Sequence, residues 1–414
     1  MGKANNYRTP FILLTCLFFL WGFAHNLDPI LIPHLKRSFT LTTTQATLVD
    51  SAVFIAYFFM AIPAGYIMKR WGYKMGIISG LLLFSVGAFL FVPAANHQSY
   101  NYFLIALFVI ACGLTILETA ANPFATALGD ASTATQRLNL AQSFNGLAVA
   151  LAPAIGARVI LTKGYTDQEL AGMSDSVRKV ALATEAYSVK TPYTILGIVL
   201  LAIAVVFYFI QLPDIRNKQA NNENQSLLKT FRHKHLSWAV IAQFFYIGAQ
   251  VSVFSLFILY ATQVANITEV QAADYLGIGG LAFLIGRFLG TALMKYIAPN
   301  KLLTAYALLS TLLCVVAIYA KDTTAIYALI GICFFMSIMF PTIFSLGIKN
   351  LGADTEMASS LIVMSIVGGA ILPRIFGLIS DATGNIQMGY LVPLVCFMVV
   401  AYFGWRGSVI KSTN

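Results

Sequence analysis

Charged side chains are scarce in this chain. They make up 10% of its 414 residues, while 58% are hydrophobic; soluble domains carry roughly 25% charged residues. A water-soluble core cannot absorb so much apolar surface, so lipid is the expected solvent. Cysteine is sparse too. Cys16, Cys112, Cys314, Cys333 and Cys396 all fall in apolar segments, with no pair at metal-ligand spacing. That excludes a disulfide framework or a thiolate metal site and predicts buried small hydrophobes. No HExxH occurs, which excludes the usual zinc hydrolase. No nucleophile, metal or cofactor motif of a membrane-embedded enzyme is present, so neither cofactor nor metal is expected. The net charge of +10 is not gathered into a basic patch interleaved with aromatics, so nucleic acid is not an expected partner. Lys3 and Arg8 precede an apolar run without a small-residue cleavage site, so the first helix is predicted to be retained.

What the chain does have is long apolar runs. A span needs about 20 mostly apolar residues, and twelve are predicted: 11–32, 46–68, 75–93, 101–121, 138–161, 192–212, 237–262, 270–295, 301–320, 324–348, 357–380 and 386–405. The polar linker 213–236 divides them into a six-helix half, 1–212, and a second, 237–414. A second polar stretch, 163–191, reads as an amphipathic segment on a membrane face. Most lysines and arginines fall on the side of the N-terminus, which by the positive-inside rule places both termini in the cytoplasm of a multi-pass inner-membrane protein. The halves repeat weakly. Asn122-Pro123 to Gly129 resembles Phe340-Pro341 to Gly347, and Leu151-Ala-Pro153 resembles Ile371-Leu-Pro373, at an offset of about 220 residues. Two similar halves with a midplane site between them is a transporter arrangement.

The stretch from Gly113 to Gly146 carries the most chemistry. An apolar helix holds Glu118 and is predicted to break at Asn122-Pro123; the next helix carries Asn139, Gln142 and Asn145. A carboxylate in hydrocarbon costs about 2.5–3.5 kcal/mol on insertion scales. Desolvation raises its pKa, so Glu118 is suited to take up and release a proton. The competing reading pairs Glu118 with the deep Arg287 of span eight as a structural link. The three amides recur at i, i+3 and i+6, close to one helix face. Amides donate and accept hydrogen bonds and suit sugar hydroxyls; the competing reading is interhelical glue.

Span one contains His25-Asn26-Leu27-Asp28-Pro29. Pro29 donates no amide and frees backbone carbonyls, so Asp28 is a second candidate titrating acid. Span seven offers Tyr246 and Gln250, since aromatic rings and amides together suit a sugar. Asp50, Asp274, Glu356 and Asp381 lie near span ends and read as caps or loop ion pairs. The Gly65 to Lys74 turn is expected to place basic side chains on helix C-terminal carbonyls.

Four runs carry a family resemblance: LETAANPF from Leu117, RLNLAQSFN from Arg137, IAQFFYIGAQ from Ile241 and FPTIFSLGIKNLG from Phe340. They are similar to the bacterial fucose permease family, which comprises fucose:proton symporters and related glucose/galactose carriers of the major facilitator superfamily. The likeness runs from span one to span twelve. It implies an all-α membrane protein of twelve transmembrane helices in two six-helix halves. It also implies that Glu118 couples proton and sugar, and that Asn26, Gln142 and Asn145 bind the sugar. Three departures stand out. Lys69 replaces the acid of the superfamily's signature loop. Asp28 sits one residue before the family's span-one aspartate, with Pro29 in that place. Phe340 and Phe254 stand where the family has tyrosine and tryptophan.

The expectation is a secondary active sugar:proton symporter that imports a monosaccharide, foremost L-fucose, by alternating access. The proton-coupling residues are Glu118 and Asp28; the substrate residues are Asn26, Asn139, Gln142, Asn145, Tyr246 and Gln250. The partners are a monosaccharide, a proton and membrane lipid, with the chain working as a monomer. The alternative within the class is a glucose/galactose or amino-sugar carrier coupled to sodium, with Asp28 and carbonyls freed by Pro29 as the ion site. A drug exporter is the remaining rival, and the row of amides argues against it.

Overall fold

The computed structural model describes residues 8–25, 39, 48–160, 172–174, 176–178, 180, 187, 189–210, 212 and 230–410. Among these the regular structure is helical throughout, with no strand. Nine helices are long and apolar enough to cross a membrane among the described residues. One of them covers two predicted spans. Helix α2 (Leu48–Asn96) is interrupted at Gly72, whose φ of 84° and ψ of 170° are open to glycine and strained for other residues. The turn expected after span two therefore exists as a kink at Gly72. Asn26, Asp28, most of 163–191 and linker residues 213–229 lie outside the described residues.

Helix α1 is Arg8–His25, α3 Tyr100–Ala127, α4 Ala134–Ile160 and α5 Lys190–Phe209. The predicted break at Asn122-Pro123 does not occur, because α3 runs through Pro123 to Ala127. A proline removes one ladder bond, and the burial of every side chain from Ile110 to Ala125 holds the helix through that loss. The helix stops where Arg137 folds back on it. The guanidinium donates to the carbonyls of Thr126 (2.5 Å) and Ala125 (3.4 Å), and to that of Asp130 beyond them (2.6 Å), a cationic cap on the negative end. In the same turn the Ser132 amide and hydroxyl, then Arg137, hold the Asp130 carboxyl below the usual carboxylate range.

By contact the chain divides into two compact units. One comprises Phe19–Ala120 and Ala148–Asp214. Here α2 packs along α5, with Phe91 stacked on Tyr193 at 3.7 Å and Ser85 Oγ donating to the Gly197 carbonyl at 2.8 Å. Between α2 and α3 the backbones touch: a Cβ on Gly113 would run into the backbone of Gly80 and Phe84. Lipid supplies no hydrophobic drive between helices, so such close packing of small residues does the work. Lys74 Nζ donates to the carbonyls of Tyr208 and Ile210, each at 2.8 Å, at the C-terminal end of α5. That is the contact expected of the loop's basic residues.

The other unit comprises Met1–Phe18, Ala121–Leu147 and Ile215–Asn414. Helix α6 (Lys234–Ser255) is central to it, followed by α7 (Phe257–Ala265), α8 (Glu269–Leu293) and α9 (Pro299–Tyr319). Span ten is two helices, α10 (Asp322–Met336) and α11 (Met339–Gly347). Span eleven is likewise divided, into α12 (Thr355–Met364) and α13 (Gly368–Thr383), with a 3-10 turn between them. Span twelve contains α14 (Leu391–Tyr402) and ends in a π-helical turn, Phe403–Gly407. Four cysteines are buried as expected, but Cys16 is exposed; it lies on the α1 surface, so a small hydrophobe there needs no protein neighbour.

Three stability predictions follow from this packing. Gly113→Val forces its side chain into a neighbouring backbone and should destabilise by about 1–3 kcal/mol, whereas Gly277→Ala meets nothing within 4 Å and should stabilise by about 0.5–1 kcal/mol. Thermal unfolding of the purified protein in detergent measures both. Lys74→Met should cost about 1 kcal/mol by removing the cationic cap, read in the same assay; an unchanged Tm would show the cap to be idle.

Candidate functional site

Helix α4 carries the predicted stripe of amides, and each reaches a different helix. Asn139 Nδ2 donates to Thr342 Oγ1 of α11 at 3.1 Å and to the Thr135 carbonyl at 2.9 Å. Gln142 Nε2 donates to Asn122 Oδ1 of α3 at 3.0 Å. Asn145 Nδ2 donates to the Phe18 carbonyl of α1 at 3.2 Å. The reason is angular: successive steps of three residues drift around the helix by about 60° each, so the stripe is broad enough to face three neighbours. Asn139 and Gln142 are buried, and Asn145 is half-buried.

A polar seam joins α4 to α8 and α11. Thr135 Oγ1 and Ser345 Oγ share a hydrogen bond of 2.9 Å, and Gln136 Nε2 donates to the Thr291 carbonyl at 3.2 Å. Buried hydroxyls along these helices are satisfied by the preceding turn: Thr342 donates to Ile338 O at 2.6 Å, Thr291 to Arg287 O at 2.6 Å and Ser143 to Asn139 O at 2.8 Å. Thr342 thus gives its proton to its own helix and accepts from Asn139.

Two amide atoms in this seam have no partner, the Asn122 Nδ2 donor and the Asn139 Oδ1 acceptor. On α6, both ends of the buried Gln243 amide are also without a partner. Tyr246, fully buried, donates its hydroxyl to the Met336 carbonyl at 3.1 Å. Gln250 lies one turn further along α6 and is half-buried. Unpaired buried amides are costly, and clustered ones mark a place where a polar ligand or water would be stabilising.

Arg287 of α8 is buried at 4% exposure. Its Nε donates to the Ser337 carbonyl at 2.7 Å and its Nη1 to the Gln142 carbonyl at 2.8 Å, with the Phe283 ring 4.5 Å away. Glu118 belongs to the other unit. It is 6% exposed, in the middle of the stretch of α3 that is buried on every side.

Asn139, Gln142, Asn145, Tyr246 and Gln250 all lie in one of the two compact units, and each of the first four bonds a different helix. Asn26 and Asp28 lie outside the described residues. Sequence reasoning passed over Asn122, Thr135, Thr342 and Ser345. Asn122 was read as part of a helix break, and hydroxyls in an apolar span carry no signal of their partner. Gln243 lies three residues before Tyr246, but nothing in its spacing shows that its amide is buried without a partner.

With the geometry in hand, comparison with known proteins gives the lineage. Residues 11–356 match the Major Facilitator Superfamily. The chain is 44% identical to the L-fucose-proton symporter of Escherichia coli (strain K12), over 97% of this chain and 94% of that protein. It is 38% identical to a glucose/galactose transporter of Brucella abortus biovar 1, over 98% of this chain and 96% of that protein. The fold matches a crystallised major facilitator transporter, FucP, in the outward conformation, with a TM-score of 0.90 at 43% identity, over 97% of this chain and 99% of that one. The chain belongs to the major facilitator superfamily and, within it, to the bacterial fucose permease family.

Proposed function

We propose that this protein imports L-fucose with protons by alternating access, the halves 1–212 and 237–414 rocking about the site and the linker 213–236 joining them in the cytoplasm. The observation that carries this reading is near full-length similarity to an L-fucose-proton symporter together with the runs LETAANPF and RLNLAQSFN, in which the buried amides of Asn122 and Gln142 are hydrogen-bonded. The protein resides in the inner membrane with both termini cytoplasmic and works as a monomer.

The chemistry assigns roles in turn. Glu118 is the coupling acid, with Asp28 as its second. Protonated, Glu118 removes a charge from the membrane interior and lowers the cost of closing the site. Sugar hydroxyls then take up the unused hydrogen-bonding capacity of the amides. Gln142 and Asn145 bind the sugar together with Asn26; Asn139 offers Oδ1 while its Nδ2 holds Thr342. Tyr246 and Gln250 complete the site from α6. Coupling requires that sugar affinity differ between the protonated and deprotonated carrier, and the effect is reciprocal.

A second reading has its own support. Phe340 and Phe254 replace hydroxyl- and indole-bearing residues of the family pattern, and the glucose/galactose transporter relative covers as much of the chain. Glucose or galactose is then the cargo of the same site.

Reconstituted proteoliposomes decide between them. An inward proton gradient should concentrate labelled L-fucose in preference to glucose and galactose, and acidification should tighten fucose binding by about 5- to 150-fold. Glu118→Gln should retain fucose exchange, lose accumulation and lose that pH response. Accumulation that persists in Glu118→Gln contradicts its role; uptake that follows sodium at fixed pH contradicts proton coupling and directs attention to Asp28.

A further inference from the structure

Span ten breaks between α10 and α11 for a reason visible in the chain. Pro341 has no amide hydrogen, so the carbonyl four residues earlier, Ser337 O, is left without its ladder partner. In an apolar solvent that carbonyl must be satisfied from elsewhere. Arg287 does so, with Nε donating to Ser337 O at 2.7 Å. The neighbouring carbonyl, Met336 O, is taken by Tyr246. Gly286 permits the approach, because any Cβ there would collide with Phe334 O and the Ser337 hydroxyl.

A proline answered by a buried arginine is an expensive way to build a helix. Alanine at 341 would close the bond with no charge, whereas a buried guanidinium costs several kcal/mol in desolvation. The second donor of Arg287 gives that arrangement a use. Its Nη1 reaches the Gln142 carbonyl at 2.8 Å, on the helix whose Gln142 side chain meets Asn122. One rigid planar group thus fixes the backbone of α4 against the broken centre of span ten.

We infer that Arg287 is a positioning residue for Gln142: it clamps the Gln142 carbonyl to the Ser337 carbonyl freed by Pro341 and so sets the register at which the Gln142 amide is presented to substrate. This rests on the reading of Gln142 as a sugar-binding group. In this conformation the clamp ties α4 of one half to span ten of the other, so it has to open when the halves rock, and a shift at the Pro341 break is transmitted to the sugar contact.

The test separates clamping from mere satisfaction of a carbonyl. Full-length Pro341→Ala, Arg287→Met, the double variant and Arg287→Lys are compared with wild type in thermal unfolding, fucose binding and hydrogen–deuterium exchange. Pro341→Ala returns an amide donor to Ser337 O, so the double variant should recover the thermal stability that Arg287→Met loses. The clamp predicts that it nevertheless binds fucose about tenfold more weakly than Pro341→Ala, and that amides 139–146 exchange faster. Arg287→Lys keeps the charge and one donor centre and should fold, with intermediate affinity and exchange. Full recovery of affinity together with unchanged exchange at 139–146 in the double variant overturns the inference; should the double fail to fold, wild-type values in Arg287→Lys overturn it. If wild type binds none of fucose, glucose or galactose, the transport reading falls, and exchange at 139–146 alone decides the clamp.

Discussion

A chain dissolved in lipid must satisfy its backbone polar groups from within the protein, and most of the site geometry follows from that requirement. Where helices run unbroken, the ladder meets it. Where Pro341 removes a donor, a charged side chain has to reach in from α8, and a tyrosine from α6 takes the next carbonyl. Buried hydroxyls obey the same rule by bonding to the preceding turn, as Thr342, Thr291 and Ser143 do. Against that satisfaction, the unpaired amide atoms stand out: Asn122 Nδ2, Asn139 Oδ1 and both ends of Gln243, beside hydroxyls such as those of Thr230, Ser310 and Tyr390.

The same economy relates the proposed coupling acid to the proposed sugar amides. Glu118 lies in a helix segment buried on every side. One turn further along α3, Asn122 accepts from Gln142. A change of charge at Glu118 and a change of sugar occupancy at Gln142 therefore act on a single helix. That placement supports coupling through α3, and Arg287 extends the connection to span ten.

The fold was legible because its signals are long. Twelve apolar runs, one polar linker and basic loops need no fine geometry, and the amide stripe on α4 is visible as a spacing. What was not legible depended on partners distant in sequence. Pro123 and Pro341 occupy matching places in the repeat, yet α3 continues through the first while span ten breaks at the second. Proline states only that a bond is missing, and the surroundings decide whether the helix bends. The amides of Asn139, Gln142 and Asn145 share a face by count, but which helix each would meet was fixed by packing. Arg287 was noticed as a deep cation; that it also reaches two carbonyls and a ring is something charge pairing does not suggest. Cys16 shows the converse error, since in lipid a small hydrophobe can face outward as well as in.

The central claim is that sugar and proton cross together, and the most direct measurement is sugar-driven proton movement. Proteoliposomes with no ion gradient are given external L-fucose in lightly buffered medium while external pH is recorded. The account predicts prompt alkalinisation outside as protons enter with the sugar, and its disappearance in Glu118→Gln although fucose still exchanges. Fucose entry without any change of pH, at a rate that follows sodium, would contradict it.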